Sequence, residues 1–408
     1  MANVGEKKTV LVVDDAPANL QIVNSILKDD YKIRVATSGA KALVLVKVKP
    51  LPDLILLDVV MPDMDGYEVC GILKATPEAR DIPVIFLTGK TEADDETKGF
   101  DMGAVDYIHK PFLAAVVKAR VHTHLMLREA REQLSRQLIA INSELEMARK
   151  IQLAILPHAT PKIMGLEIAA RFVPMGSVAG DFYDFLVVDE KHVGILIADA
   201  TGHGLPAALI ASMLQMALAA QFAQASQPAR VLAGLNQALC GKFTTHFVTA
   251  AYIFLDMELG AMKYAGAGHP PLLLWRASTG KTAELEENGM VLGLFGDATY
   301  DEIEVTMEPG DRVVLYTDGI LEASNSSQEL YGADRVKRFL EHNCSVGANE
   351  LSDVMLDELC EWSGRAEGRG QEDDITLLTV DFLDRPGKRR HPTNVENATN
   401  DQHRRSHP

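Results

Sequence analysis

Apolar and polar positions run along this chain in two rhythms. In the first third, short unbroken apolar runs recur: Thr9-Val10-Leu11-Val12-Val13, Leu54-Ile55-Leu56-Leu57, Pro83-Val84-Ile85-Phe86-Leu87 and Ala104-Val105-Asp106-Tyr107-Ile108. Helix-like patterns separate them. Runs of this length without alternation read as strands buried on both faces, and strands alternating with helices build a parallel sheet. Residues 7–120 are therefore predicted to hold five βα units of a doubly wound α/β fold, a five-stranded parallel sheet.

A charged helical stretch comes next. Leu127, Leu134, Ile141, Ala148 and Ile155 recur every seven residues, with Leu138 and Leu145 at the offset seam position. That spacing predicts a short coiled coil pairing two copies of the chain, ahead of a single helix packed on its own domain, with Arg131 and Gln152 spoiling the seam and Pro157 and Pro161 ending the helix. Residues 163–384 change rhythm to short strands, Gly/Pro turns such as Gly266-Ala267-Gly268-His269-Pro270-Pro271, and two longer helical patterns at about 205–224 and 349–363. The mixture predicts an α+β layered or sandwich domain. From Arg385 onward, Pro, Asn, His and Arg with almost no apolar residues predict a disordered tail. The expected division is 1–120, a helical linker 121–158, a second domain 159–384 and the tail 385–408.

Composition narrows the function classes. The net charge is −17, and the tail holds six Lys/Arg against two Asp/Glu, so the remainder carries −21. A body this acidic is a poor binder of nucleic acid through surface charge. Cys70, Cys240, Cys344 and Cys360 have no metal-ligand spacing, which points to unpaired thiols in a reducing cytoplasm. No leader pattern opens the sequence. Residues 204–229 lack charge, but Ser212, Gln215, Gln221, Gln224 and Gln227 interrupt them, so a buried amphipathic helix is expected there and no membrane span.

The chemistry lies at strand ends. Asp14 and Asp15 close the first apolar run, Asp58 the second, Thr88 the third, and Lys110-Pro111 follows the fourth. The ends of parallel strands share one edge, so three acids, a hydroxyl and a lysine are expected to meet as a magnesium-assisted phosphoryl-acceptor site. Val12-Val13-Asp14-Asp15, Leu57-Asp58-Val59-Val60-Met61-Pro62-Asp63-Met64-Asp65-Gly66, Leu87-Thr88-Gly89 and His109-Lys110-Pro111-Phe112 together resemble the receiver domain of two-component response regulators, the CheY-like fold, over about 115 residues. The resemblance implies that Asp58 accepts a phosphoryl group from a histidine kinase. It implies Mg²⁺ on Asp14, Asp15, Asp58 and the Val60 carbonyl, with Lys110 and Thr88 holding the phosphoryl oxygens. Tyr107 matches the family's switch aromatic; read from the residues alone, it is equally an ordinary half-buried tyrosine on the last strand.

Acids recur at strand ends in the second domain: Gly180-Asp181, Ala198-Asp199-Ala200, Thr317-Asp318-Gly319 and Glu372-Asp373-Asp374. Crowded carboxylates without a Cys/His set point to an oxygen-ligated centre of two Mn²⁺ or Mg²⁺ ions. These motifs resemble the PPM-type serine/threonine phosphatases, in the bacterial branch typified by SpoIIE and RsbU, over about 220 residues. Met147 to Pro157 looks like that branch's entry helix. The resemblance implies a β-sandwich flanked by helices. Asp181, Asp199, Asp318, Asp373 and the Ala200 carbonyl would be the ligands, Asp374 being a neighbour that is not one. Such a centre activates water for in-line attack on phosphorus. His203 reads as a turn histidine or a proton donor, His269 as structural, and Arg171 as a weak candidate for a phosphate clamp.

The implied whole is a cytoplasmic response regulator with a phosphatase output, homodimeric through receiver and helix. Its implied substrate is a phosphoserine or phosphothreonine protein, an anti-sigma-factor antagonist in a partner-switching pathway. The rivals are a non-catalytic pseudo-phosphatase that sequesters a regulatory protein, and a transcription factor, for which no basic helix-turn-helix segment is visible.

Overall fold

The computed structural model describes residues 7–89, 100–202, 204–243, 245–364 and 373–383. The chain divides into two compact units, Met1–Ile141 and Asn142–Pro408.

In the first unit the four apolar runs become β1 (Thr9–Val13), β3 (Leu54–Asp58), β4 (Val84–Thr88) and β5 (Asp106–His109), and a more polar segment forms β2 (Lys32–Ala36), all parallel in the order β2-β1-β3-β4-β5. The absence of alternation in β1, β3 and β4 has a direct cause. Leu11, Val13, Ile55, Leu57, Val84 and Phe86 pack on one face; Val10, Val12, Leu54, Leu56, Ile85 and Leu87 pack on the other. Helices α1 (Pro17–Leu27), α2 (Gly39–Val46) and α3 (Gly66–Ala75) cover the sheet. The entry to α3 is fixed by Asp65, whose carboxylate accepts the Glu68 N–H while Glu68 returns a carboxylate to the Asp65 N–H.

Helix α4 (Ala114–Ile155) contributes Val117, Val121 and Leu125 to the first core, and Ile155 packs against the second. Between these ends Leu127, Leu134, Leu138 and Ile141 are each more than half exposed. Gln152, expected to spoil the seam, is buried within the second unit, where its amide meets the backbone of Ala179.

The second unit is a sandwich. Its strands are β6 (Leu166–Val173), β7 (Asp181–Val187), β8 (His192–Ala200), β9 (Val248–Asp256), β10 (Ala261–Ala267), β11 (Leu272–Arg276), β12 (Lys281–Leu285), β13 (Asn288–Gly289), β14 (Ile303–Thr306), β15 (Arg312–Tyr316) and β16 (Ile375–Phe382). One sheet runs β13-β10-β9-β8-β7, with β14 pairing β10; the other runs β12-β11-β15-β16-β6. Alternation decides which side chains fill the middle. Val313, Leu315, Leu378 and Val380 face the inter-sheet core, whereas Val314, Tyr316, Ile375 and Leu377 face a second cluster with Phe339, Leu351 and Met355. Helices α5 (Leu205–Ala219) and α6 (Pro228–Leu239) pack on the first sheet, α8 (Ala333–His342) and α9 (Ala348–Ser363) on the second, and α7 (Asp318–Leu321) is one turn after β15. The uncharged stretch from residue 204 is thus largely α5, which buries Ala207, Ile210, Ala211, Leu214 and Leu218. No described helix is long and apolar enough to cross a membrane. Residues 385–408, predicted as a tail, lie outside the described residues, as do His203 and Glu372.

Candidate functional site

The C-terminal ends of β1, β3, β4 and β5 meet on one edge and carry the predicted acids there. Asp14 is 0% and Asp58 5% exposed, while Asp15 is open to solvent. Among the described residues these three alone bring ligand oxygens within 4.8 Å of one another. Lys110 Nζ donates to Asp14 Oδ2 and to Asp58 Oδ2, both at 2.8 Å. Burial raises the Asp58 carboxyl above its ordinary value against the pull of Lys110, and the charge of Asp14 adds to the rise. For Lys110, burial acts downward, but its bonds to Asp14 and Asp58 outweigh it and hold the ammonium above its ordinary value. One lysine leaves two of the three carboxylates uncompensated, and an all-oxygen set of that charge suits Mg²⁺.

Neighbouring groups complete this edge. The Val60 N–H donates to Asp58, and its side chain is exposed, so Val60 acts there through its backbone. Thr88 is buried at the end of β4, and its carbonyl accepts the Lys110 N–H at 2.8 Å. Tyr107 is 5% exposed, not half-buried, with its ring against Phe86 and Phe100. Asn19 was not singled out from the sequence. Its Nδ2 donates to both oxygens of Asp14 at 3.0 Å, and the Ala16 N–H donates to Asp14 Oδ1 at 2.9 Å, so α1 orients this carboxylate.

The second group of acids is spread more widely. Asp181 opens β7 directly opposite Asp199 on β8, and Asp199 lies opposite Thr249 on β9. Asp318 begins α7 where β15 ends, and Asp373 precedes β16. Burial, then the charges of Asp318, Asp373 and Asp374, push the Asp199 carboxyl up to about 7. Burial, then Asp373 and Glu322, raise Asp318; burial, then Asp199, raise Asp181 well above the ordinary value. Four acidic segments from two sheets therefore repel one another across one region, as carboxylates arranged around two cations do. Glu322, one turn after Asp318, was missed; its signal is the i, i+4 spacing on α7.

Two glycines mark how closely the backbone approaches. A Cβ on Gly180 would come within 2.7 Å of the Ala200 carbonyl and 3.3 Å of Asp199 Oδ1, two of the expected ligand atoms. A Cβ on Gly319 would sit 2.0 Å from the Asp374 carbonyl. Only glycine permits these close approaches, and the all-oxygen donor set fits a divalent-cation centre.

Asp374 has a different part. It is buried and accepts the N–H groups of Met175 at 2.6 Å and Gly180 at 2.7 Å, which shapes the loop before Asp181. Gln152 holds the same loop: Nε2 donates to the Ala179 carbonyl at 2.6 Å, and Oε1 accepts the Ala179 N–H at 3.0 Å. Arg171 is not a free clamp, since it forms a forked pair with Asp353 at 2.6 and 2.9 Å. His269 is fully buried, its Nδ1 is 3.0 Å from Thr249 Oγ1, and Asn288 brackets its backbone.

Comparison with known proteins agrees with both halves. The family model for the response regulator receiver domain matches residues 10–122, and that for stage II sporulation protein E (SpoIIE) matches residues 189–383. The phosphoserine phosphatase RsbU of Bacillus subtilis (strain 168) is 32% identical over 241 residues, which cover 59% of this chain and 70% of RsbU. A Vibrio cholerae protein described as a probable cyclic di-GMP phosphodiesterase is 46% identical over 129 residues, and the chain spans only 29% of its length. The SiaA-PP2C domain of Pseudomonas aeruginosa superposes with a TM-score of 0.54 at 26% identity, over 60% of this chain and 98% of that one.

Proposed function

The chain belongs to the SpoIIE and RsbU family of PPM-type serine/threonine phosphatases, joined here to a response-regulator receiver, and on that premise we propose that it is a phosphoprotein phosphatase whose turnover is set by phosphorylation of Asp58. The observation that carries the reading is the convergence of Asp181, Asp199, Asp318 and Asp373 from two sheets, with Asp199 pushed up to about 7.

In this reading those four acids and the Ala200 carbonyl hold two Mn²⁺ or Mg²⁺ ions. When bound, the ions supply a water nucleophile at neutral pH and offset the charge on the phosphoryl oxygens. The chain's own part is positional. Gln152 and Asp374 fix the backbone at 175–180, and Gly180 keeps the space beside Asp199 and Ala200 clear. In the receiver, the Asp58 carboxylate attacks the phosphorus of a kinase phosphohistidine, the P–N bond breaks, the imidazole leaves and an acyl phosphate remains on Asp58. Lys110, already on Asp58 Oδ2, and the Thr88 hydroxyl then take phosphoryl oxygens, with Mg²⁺ on Asp14, Asp15, Asp58 and the Val60 carbonyl.

The phosphoserine phosphatase RsbU supports a phosphoserine or phosphothreonine protein as substrate, and we assign the substrate to the class of anti-sigma-factor antagonists. The exposed Leu127, Leu134, Leu138 and Ile141 support a homodimer through the receiver and α4. A charge of −21 outside the tail supports a protein that binds neither nucleic acid nor an anionic membrane surface, and four cysteines without metal-ligand spacing support a reducing cytoplasm.

Hydrolysis of p-nitrophenyl phosphate in Mn²⁺ is the test. Turnover that stops in excess chelator and in Asp318→Asn is expected. Full turnover in chelator contradicts the metal centre, and no turnover with Mn²⁺ favours a sequestering adaptor.

A further inference from the structure

Two hydroxyls inside the sandwich bear on the second centre without being part of the acid set. Thr317 and Thr376 are each 0% exposed. Thr317 follows β15 and Thr376 is the second residue of β16, both in one sheet, whereas Asp181 opens β7 of the other. Thr317 Oγ1 donates to Asp181 Oδ2 at 2.8 Å, and Thr376 Oγ1 donates to the same oxygen at 2.6 Å.

The backbone leaves these hydroxyls little freedom. The Thr317 N–H donates to the Thr376 carbonyl at 3.1 Å, and the Thr376 N–H donates to Thr317 Oγ1 at 2.9 Å. With that lone pair occupied, the Thr317 hydroxyl proton is directed onto Asp181. Two donors fill Oδ2, while Oδ1 takes no hydrogen bond from the described residues. The threonines also carry the neighbouring acids: Thr317 is bonded directly to Asp318, and Thr376 follows Asp374 by two residues. The tie therefore joins the three acid-bearing segments across the sandwich.

We propose that Thr317 and Thr376 are positioning residues of the metal centre, which hold Asp181 by Oδ2 so that Oδ1 faces the cations, and which set the spacing between Asp181 and the acids of the opposite sheet. The proposal rests on the reading of this domain as a metal-dependent phosphatase. Ligand-orienting groups of this kind are worth 10- to 100-fold in metal affinity, at order-of-magnitude level. Thr376 is the cleaner site for substitution, since losing the Thr317 hydroxyl would also strip the acceptor from the Thr376 N–H.

The test is titration of the full chain with Mn²⁺ alone, read by the paramagnetic resonance signal of free Mn²⁺. Every protein carries Asp15→Asn, so that the signal reports the second centre. Thr376→Val should weaken Mn²⁺ binding by roughly 10- to 100-fold, with turnover of p-nitrophenyl phosphate recovering at high Mn²⁺, and Thr376→Ser should restore affinity. Thr376→Ala, which removes the hydroxyl without adding bulk, should match the valine variant. A parent that neither binds Mn²⁺ nor hydrolyses the substrate would refute the phosphatase reading itself. A parent that does both, beside valine and alanine variants of unchanged affinity or a serine variant as weak as they are, would overturn the proposal alone.

Discussion

Lys110 bridges two carboxylates that would otherwise repel each other at the receiver edge. Asp58→Asn removes the acceptor, since an amide cannot form an acyl phosphate, and labelling by acetyl phosphate should vanish while Mn²⁺-dependent hydrolysis in the other unit persists. Asp199→Asn should do the reverse, abolishing hydrolysis and leaving acetyl phosphate labelling intact. Radiolabel on Asp58→Asn at the parent's level would show that another residue is the acceptor. His269 gives a prediction in pH. Burial holds its ring near 3 in the folded chain, below the ordinary 6.5, so the unfolded chain binds the proton more readily. The stability this contributes is present above pH 6.5 and is lost as pH falls toward 3. Melting in chelator should therefore show a steeper loss between pH 6.5 and 4.5 in the parent than in His269→Gln; parallel curves would contradict a neutral, buried ring. At this scale the sequence disclosed the acids and Lys110, because each lies at one end of an apolar run. It concealed Asn19, Gln152 and the Arg171–Asp353 pair, whose partners are chosen by folding, the last across 182 residues.

Among the elements, α4 has two kinds of surface. Its ends are committed to cores, and its middle shows leucines to solvent. Gln152 makes the helix end part of the loop that carries Asp181, so Gln152→Leu leaves the Ala179 N–H and carbonyl buried without partners. Each unpaired group costs about 1–3 kcal/mol; thermal unfolding should report the loss as a lower melting point, together with a higher Mn²⁺ requirement for turnover. Leu138→Glu with Leu145→Glu tests the middle. Charge there should abolish the response of turnover to phosphodonor while keeping basal Mn²⁺-dependent hydrolysis, and an unchanged response would remove α4 as the transmitting element. Receiver strands β1, β3 and β4 were legible because both faces are buried, and β8, β15 and β16 because an acid marks one end of each, whereas the partly exposed β2 gave no such run. Helices α6 and α8 were not read from the sequence. Pro228 at the start of α6 and the spacing of Val231, Leu232, Leu235 and Leu239 were the available signal, set in a stretch where Gly and Gln weaken the pattern. A seven-residue repeat does not say whether a face meets a second helix or its own domain, and Gln152, expected to break the seam, turns to its own domain.

For the molecule as a whole, one chain joins a receiver, proposed to accept a phosphoryl group, to a phosphatase domain that removes one. Coupling of two such sites amounts to a few kcal/mol, which corresponds to roughly 5- to 150-fold in the controlled quantity. The most direct measurement is turnover of a phosphoserine protein substrate in Mn²⁺, before and after treatment with acetyl phosphate, for the parent and Asp58→Asn. The account predicts that treatment changes the parent's turnover by about five-fold or more and leaves that of Asp58→Asn unchanged. Equal turnover of the treated and untreated parent, with its Asp58 shown to be phosphorylated, would contradict it.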